Sequence, residues 1–427
     1  MKKVLIVTYY FPPLGGAGVQ RMLKFARYLP EFGWEPTILT VKPIRYPSND
    51  QSLLAELPEN VKVYRAGSLD PHRLLYLLGG NRERISSSDP ASDRGKESTG
   101  KNFLKELLIP DFKIGWLPIA VRAGKKILKP KAFDLIFSSS PPLTSHLIGM
   151  RLARKFNLPL AIDFRDPWRI GNRRYLSGWH DNRHRKLKLE LLKLANGIVA
   201  VNQPVQKEIL DALPSARTKI ISNGFDSEDF EGITPKQSDR FEIVYQGTFN
   251  RLHDPKPFLK AYAELVHENQ EFAWRAHFTH VGMILDLNWK NLMAEFKLGQ
   301  QAESKGYLPH KQALADTLNA DLLLLTTSDS YNSKLVSTGK IYEYLAARKP
   351  ILAIVSPDGA AAELIRECKA GTVVAPDDHE GIKKALLEYF LKFKSGRQQN
   401  LSEEADISKY ERKNLTRELA SFFNQLV

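Results

Sequence analysis

The sequence is nearly without cysteine: Cys368 is the only one in 427 residues. That excludes an intrachain disulfide and any metal site built on several thiolates, and it suits a reducing compartment. Long hydrophobic runs are missing too. No stretch of about 18 apolar residues occurs, so no membrane-spanning helix is expected. The opening MKKVLIVTYYFPP holds an apolar run broken by Thr8 and two tyrosines, with no small-residue cleavage site after it. It reads as a buried strand, not a signal peptide. Acid is in deficit: 48 Asp and Glu stand against 62 Lys and Arg, for a net charge of +14. Such a surface meets nucleic acid, anionic membrane or anionic small molecules, unless it is simply a solvated basic face.

What is present is length and alternation. A chain of 427 residues exceeds one ordinary core, and two or three domains are expected. Short Val/Ile/Leu-rich runs (VLIVTYY, PTILTV, FDLIFSSS, LPLAIDF, NGIVAV) alternate with amphipathic runs such as Val19, Met22, Leu23, Ala26 and Leu29. This βαβα order predicts a parallel sheet covered on both faces. It restarts after a polar linker at 233–240 with FEIVYQG and continues through DLLLLTT and PILAIV. The fold class is therefore α/β, with two doubly wound Rossmann-like domains. One spans 1–235, the second 236–408, and an amphipathic helix over 409–427 crosses back to the first. The stretch 79–102 is almost free of apolar residues and reads as a mobile loop.

The segment TYYFPPLGGAGVQRMLKFARYL, 8–29, packs three glycines between a strand and a helix. A dinucleotide fingerprint fails here: Arg21 replaces the third glycine, and the second strand ends in Lys42 instead of an acid. A P-loop fails for want of G-K-[ST]. What remains is a backbone that approaches a ligand closely at Gly15, Gly16 and Gly18, before a helix N-terminus suited to an anion. The alternative is a tight turn with no ligand.

These residues resemble the opening of the family-four (group 1) retaining glycosyltransferases of GT-B fold, in which two Rossmann-like domains face a cleft. The resemblance places Gly16 and Gly18 near the donor phosphate and Gly15 toward the acceptor. Further stretches carry it. In SSSPPLTSHLIGMRLARKFNLPLAIDFRDPW, 138–168, it puts His146 and Asp163 in catalytic positions and Arg165 and Asp166 on the acceptor side. In VYQGTFNRLHDPKPFLKAYAEL, 244–265, it puts Gly247, Arg251 and Lys256 on the donor diphosphate. In YNSKLVSTGKIYEYLAARKPILAIV, 331–355, Glu343 matches the glutamate that takes the ribose hydroxyls. Ser337, Thr338 and Gly339 offer N–H groups to phosphate, and Lys340 adds charge. Tyr307 falls in the base-binding region. IISNGFDSEDF, 220–230, reads mainly as a hinge. One departure stands out: Leu335 occupies a position where many members carry a second glutamate near the transferred sugar.

Each residue also has a plainer reading. His146 can be a structural histidine, Asp163 to Asp166 a structural ion network, Arg251 and Lys256 surface charge, and Glu343 a helix-surface glutamate. No Asp-x-Asp pair occurs, so the diphosphate charge falls to Arg, Lys and helix N-termini, and neither a metal nor another cofactor is expected. The resemblance implies transfer of a sugar from a nucleotide sugar to an acceptor hydroxyl with retention, in bacterial cell-surface polysaccharide or glycolipid synthesis. The acceptor would be a sugar or a lipid-linked one. The cation-rich run from Arg165 through Arg169, Arg173, Arg174, Arg183, Arg185, Lys186 and Lys188 to Lys193 can rest on anionic headgroups or be a solvated face. That suits a cytoplasmic protein, peripheral on the inner face of the plasma membrane. Two rivals remain: a catalytically inactive nucleotide-sugar-binding relative, suggested by Leu335, and a basic nucleic-acid-binding protein. The second lacks the cation–aromatic interleaving such binding requires, so no nucleic-acid partner is expected.

Overall fold

The computed structural model describes residues 1–15, 17–43, 50–70, 108–128, 133–168, 178–236, 238–328, 334–396 and 405–427. The expected loop 79–102, Gly16, and Arg169, Arg173 and Arg174 lie outside these residues. The chain divides into two compact units. The first holds the described residues up to Asn223 together with Arg412–Val427, and the second is Gly224–Glu411.

The first unit runs β1 (Lys2–Val7), α1 (Ala17–Tyr28), β2 (Trp34–Val41), β3 (Lys62–Ala66), α2 (Leu117–Ile127), β4 (Leu135–Ser140), α3 (Thr144–Phe156), β5 (Leu160–Phe164), α4 (Gly178–Leu194), β6 (Gly197–Ala200), α5 (Gln203–Ala212) and β7 (Thr218–Ile220). The seven strands form one sheet in the order β3-β2-β1-β4-β5-β6-β7, parallel at each pairing. Successive side chains of a strand face opposite ways, and both faces are dry. Leu5 and Val7 enter a core shared with α2 and α3. Val4 and Ile6 enter another, shared with α1 and the C-terminal helix. This double burial explains the unbroken apolar runs.

The second unit runs β8 (Phe241–Gln246), α6 (Lys256–Glu268), α7 (Gln270–Arg275), β9 (Ala276–Val281), α8 (Trp289–Glu295), β10 (Ala302–Ser304), α9 (His310–Asn319), β11 (Leu322–Thr326), α10 (Lys340–Ala347), β12 (Ile351–Ile354), α11 (Ala360–Glu367), β13 (Gly371–Val374) and α12 (His379–Lys394). Its six-stranded sheet has the order β10-β9-β8-β11-β12-β13. Again alternate residues feed opposite layers: Leu322 and Leu324 pack with α6 and α12, and Leu323 and Leu325 with α10 and α11.

The unit boundaries differ from the expected ones at 235/236 and 408/409. The polar run at 233–240 reads as a linker, yet the second unit begins ahead of it, at Gly224, where hydrogen bonds already tie the chain to this unit. Phe225 N donates to the Tyr410 carbonyl, and Ser227 Oγ donates to Glu411 Oε2 at 2.9 Å. The last helix, α13 (Arg412–Asn424), packs in the first unit, where the Phe423 ring meets Trp34 and Phe137 edge-on.

Candidate functional site

In an open α/β sheet, ligands collect at the carboxyl ends of the two strands where the strand order reverses. In the second unit these are β8 and β11. Their ladder pairs Leu322 with Ile243 and Leu323 with Val244. Beyond it Tyr344 acts as a wedge. Its hydroxyl accepts from Gln246 N at 2.8 Å and donates to the Leu324 carbonyl at 3.2 Å. Burial pushes the Tyr344 phenol up, so the proton it donates is kept.

Past the wedge the chain turns at Gly247, where φ is +136°. A Cβ there would sit 2.6 Å from Lys340 Nζ, so glycine leaves the space the lysine occupies. At the end of the adjacent strand, Gly282 has φ +148°, and a Cβ would fall 2.0 Å from the Gly247 carbonyl oxygen. That carbonyl accepts from His280 Nε2 at 2.9 Å. The proton is therefore on Nε2, and Nδ1 accepts from Ser304 Oγ at 2.8 Å. Burial pushes His280 down to about 4, so the ring is neutral near pH 7. His253 follows the same logic. It donates from Nδ1 to the Thr326 carbonyl at 3.0 Å, and burial, then the Lys340 charge, push it down to about 3.

Lys340 opens α10. Its Nζ donates to Tyr245 Oη at 2.6 Å, and burial pushes the ammonium down to about 7 while Glu343 pulls the other way. Glu343, 17% exposed, lies 3.0 Å from His310 Nε2 through Oε1 and accepts from Gln246 Nε2 at 2.9 Å through Oε2. At the start of α10, Gly339 gives no side-chain cap. Ser337 Oγ is 3.4 Å from Tyr342 Oη, and Thr338 Oγ1 is buried without a partner among the described residues. Tyr307 is half-buried and follows Gly306, whose carbonyl takes the Gly282 N–H. The arrangement offers a cation, a helix N-terminus and an orphan hydroxyl for an anion, and one turn along a carboxylate for neighbouring hydroxyls.

The two other residues expected at the diphosphate stand differently. Arg251 is exposed on the turn closed by the mutual backbone bonds of Asn250 and His253. Lys256 is the first residue of α6, 46% exposed, with its Nζ 3.5 Å from Glu295. Its ammonium is engaged with α8, and Lys340 supplies the cation beside Gly247 instead.

In the first unit the order reverses between β1 and β4, beside the glycine loop and the turn at Ser140. Several predicted residues meet here, with other tasks. Asp163 is fully buried and grips Arg21, with Oδ1 2.8 Å from Nη2 and Oδ2 3.2 Å from Nε. It also accepts from Ser139 Oγ at 2.7 Å. Arg21 goes on to the carbonyls of Ile221 at 2.9 Å and Ser222 at 2.5 Å. The residue that spoiled the dinucleotide motif is thus the clamp holding the end of this unit, and Asp163 is no free base. Arg165 donates from Nε to the Ser140 carbonyl and from Nη2 to that of Pro141, each at 2.9 Å, and from Nη1 to the carbonyl of Gly18. Its donors are engaged by backbone, and Asp166, half-buried, adds compensating charge. A Cβ at Gly18 would lie 3.0 Å from Arg165 Nη1, which is a reason for glycine independent of any ligand. Gly15 is half-buried in the same loop. His146 is fully buried, with Nδ1 2.9 Å from Ser138 Oγ and its ring against Phe164. Burial pushes it down to about 3, and Nε2 has no partner among the described residues. It is a neutral ring beneath the turn, not a group on the surface.

Sequence reading missed Gln246, His253, His280, His310, Tyr344 and the role of Arg21. The signal available for His280 was HVG at 280–282, a polar residue and a glycine closing a strand beside Gly247.

Residues 84–229 match the family model described as Glycosyltransferase Family 4. No curated protein matches the sequence. Among solved structures, HepE from Anabaena in complex with UDP and glucose is similar, with 14% identity, TM-score 0.63 and 100% of both chains covered. Sucrose-phosphate synthase from Thermosynechococcus elongatus gives 14% identity and TM-score 0.63, covering 100% of this chain and 99% of that one. An E. coli trehalose-6-phosphate protein bound with UDP-2-fluoro glucose gives 13% identity and TM-score 0.69, covering 100% of both. The chain thus has the two-domain α/β fold of the GT-B glycosyltransferases, with a Glycosyltransferase Family 4 match across residues 84–229.

Proposed function

We propose that the protein transfers a glycosyl unit from a nucleoside diphosphate sugar to an acceptor hydroxyl with retention. The observation that carries this is α10, which sets Glu343 and Lys340 one turn apart at the strand-order reversal beside Gly247. Glu343 takes the ribose hydroxyls. Lys340, Gly247, Gly339, Ser337 and Thr338 take the diphosphate with Arg251, and Tyr307 lies toward the base. Transfer is limited by departure of the diphosphate, whose developing charge is met by Lys340 and the helix N-terminus. No metal is needed for that neutralisation in this proposal. No protein base is invoked either, in keeping with the engagement of Asp163 by Arg21 and Ser139. A donor phosphate oxygen takes the acceptor proton. In the glycine loop of the first unit, Gly18 is assigned to the donor phosphate and Gly15 to the acceptor, and the buried His146 ring supports the turn from beneath.

Two similar structures carry UDP with glucose or a UDP-sugar, so uridine donors are the first to test here. The acceptor is proposed as a sugar or lipid-linked sugar of a bacterial surface polysaccharide or glycolipid. Peripheral attachment to the inner face of the plasma membrane is proposed through α4, where Trp179 is exposed beneath the Arg183 guanidinium and Arg185 and Lys186 are exposed. No helix among the described residues is long and apolar enough to cross a membrane. Leu335 favours a second reading, a donor-binding protein without transfer. Titration calorimetry with UDP, GDP, ADP and their sugars, alongside nucleoside diphosphate release with candidate acceptors, separates the two. Binding lost in Glu343→Ala supports the site, unaltered binding overturns it, and binding with no release under any acceptor favours the second reading.

A further inference from the structure

We infer that Gln246 is a positioning residue that aims the Glu343 carboxylate at the ribose hydroxyls and so sets selectivity for ribo- over deoxynucleotides. The inference rests on the ribose role proposed for Glu343. A carboxylate only accepts, so the end of the Gln246 side chain 2.9 Å from Glu343 Oε2 is the NH2 group. Its oxygen must then face Thr317, whose Oγ1 donates to it at 2.6 Å. Thr317 is fully buried on α9, and the amide plane is fixed from behind by a group that water does not reach. The main chain of Gln246 is fixed as well, by its N–H on Tyr344 Oη. One residue thus meets two consecutive residues of α10, Glu343 by its side chain and Tyr344 by its backbone.

The second carboxylate oxygen is braced by His310. His310 and Thr317, seven residues apart in α9, lie on one helix face. That face therefore supports Oε1 directly and Oε2 through Gln246. An ionised carboxylate has about four lone-pair sites. Two are taken by these donors, and two remain for a neighbouring pair of hydroxyls. Without Gln246 the carboxylate is held at Oε1 alone, by His310, its terminal torsion is no longer fixed from both sides, and the paired geometry a diol requires is lost.

The test is calorimetric affinity of the full chain for three pairs: UDP and 2′-deoxy-UDP, GDP and 2′-deoxy-GDP, ADP and 2′-deoxy-ADP. The wild type is expected to prefer the ribo member of the pair it binds by about tenfold or more, the scale of a hydrogen bond to a charged group. Gln246→Leu should lose most of that preference. Thr317→Val should reduce the preference and Thr317→Ser should restore it, a rescue that a packing role alone would not produce. If Gln246→Leu does not fold, as read by its melt, the Thr317 pair decides. Glu343→Ala separates the two ideas. If it retains the preference, or if the wild type shows none, the ribose role itself fails and the inference goes with it. If it loses the preference while Gln246→Leu keeps it, or Thr317→Ser fails to rescue, the positioning role alone is overturned.

Discussion

Lys340 sets how donor binding responds to pH. Its ammonium is pushed down from 10.5 to about 7 by burial, against the pull of Glu343. An unfolded lysine holds its proton up to its ordinary value, so across this window the unfolded chain carries more protons than the folded one. The stability of the ligand-free protein therefore rises with pH from about 7 toward 10.5 on account of this group. A diphosphate beside Nζ reverses the preference, because a nearby anion favours the charged form. Binding must then draw in a proton, about 0.5 at pH 7 and ~0.9 at pH 8 if the bound ammonium titrates well above that. The apparent Kd of a nucleotide sugar, whose diphosphate does not titrate near neutrality, should weaken about tenfold between pH 6 and pH 8. Calorimetry at pH 8 in two buffers of different ionisation enthalpy reads the uptake directly. Lys340→Arg keeps the cation and removes the titration, so its proton uptake should vanish and its Kd should be flat. Uptake near zero in the wild type at pH 8, or an unchanged slope in Lys340→Arg, refutes the reasoning.

Three further outcomes are expected. Tyr344→Phe leaves the Gln246 N–H and the Leu324 carbonyl without their shared partner and should cost about 1–3 kcal/mol, read by urea unfolding; no measurable loss would show that the strands close without the wedge. Asp163→Ala removes one member of a buried ion pair and leaves the Arg21 charge uncompensated, a loss of about 3–5 kcal/mol. A milder effect on stability with abolished turnover would instead return Asp163 to catalysis. Gly247→Ala should fold less stably and bind nucleotide sugar weakly, since the strand turn needs positive φ and the new Cβ meets Lys340. Parallel melts and titrations check this, and wild-type affinity would contradict it.

Much of the fold was legible because both faces of each sheet are buried. Runs such as VLIV and LLLL cannot alternate polar residues and so announce parallel strands. The unit boundary was not legible, because the chain that opens the second unit, ahead of the polar run at 233–240, is tied by hydrogen bonds to residues far away in sequence, including Glu411. Of the proposed site, Glu343, Lys340 and Gly247 could be named because each sits in one short stretch, at a helix start or a strand end, that carries the resemblance. Gln246 and Tyr344 could not, because their meaning depends on β8 and α10 coming together, nearly a hundred residues apart in the chain (|i−j| of 97 and 98). The charged cluster of the first unit misled for a related reason. Asp163 and Arg165 sit in one short motif, yet each is engaged by partners the motif does not contain, Arg21 for one and the carbonyl of Gly18 for the other. Arginine at 21 reads as a defect in a glycine pattern until its buried carboxylate is seen.

The central claim is that α10 and the glycine turn after β8 hold a nucleoside diphosphate. A crystal structure of the full chain with UDP, or with GDP or ADP should one of these bind more tightly, tests it most directly. The account predicts both ribose hydroxyls on Glu343, with Gln246 still bonded to that carboxylate, and the diphosphate against Lys340 and the amides that open α10. A nucleotide bound elsewhere, with Glu343 still held by His310 and Gln246 and no ligand near Lys340, would contradict it.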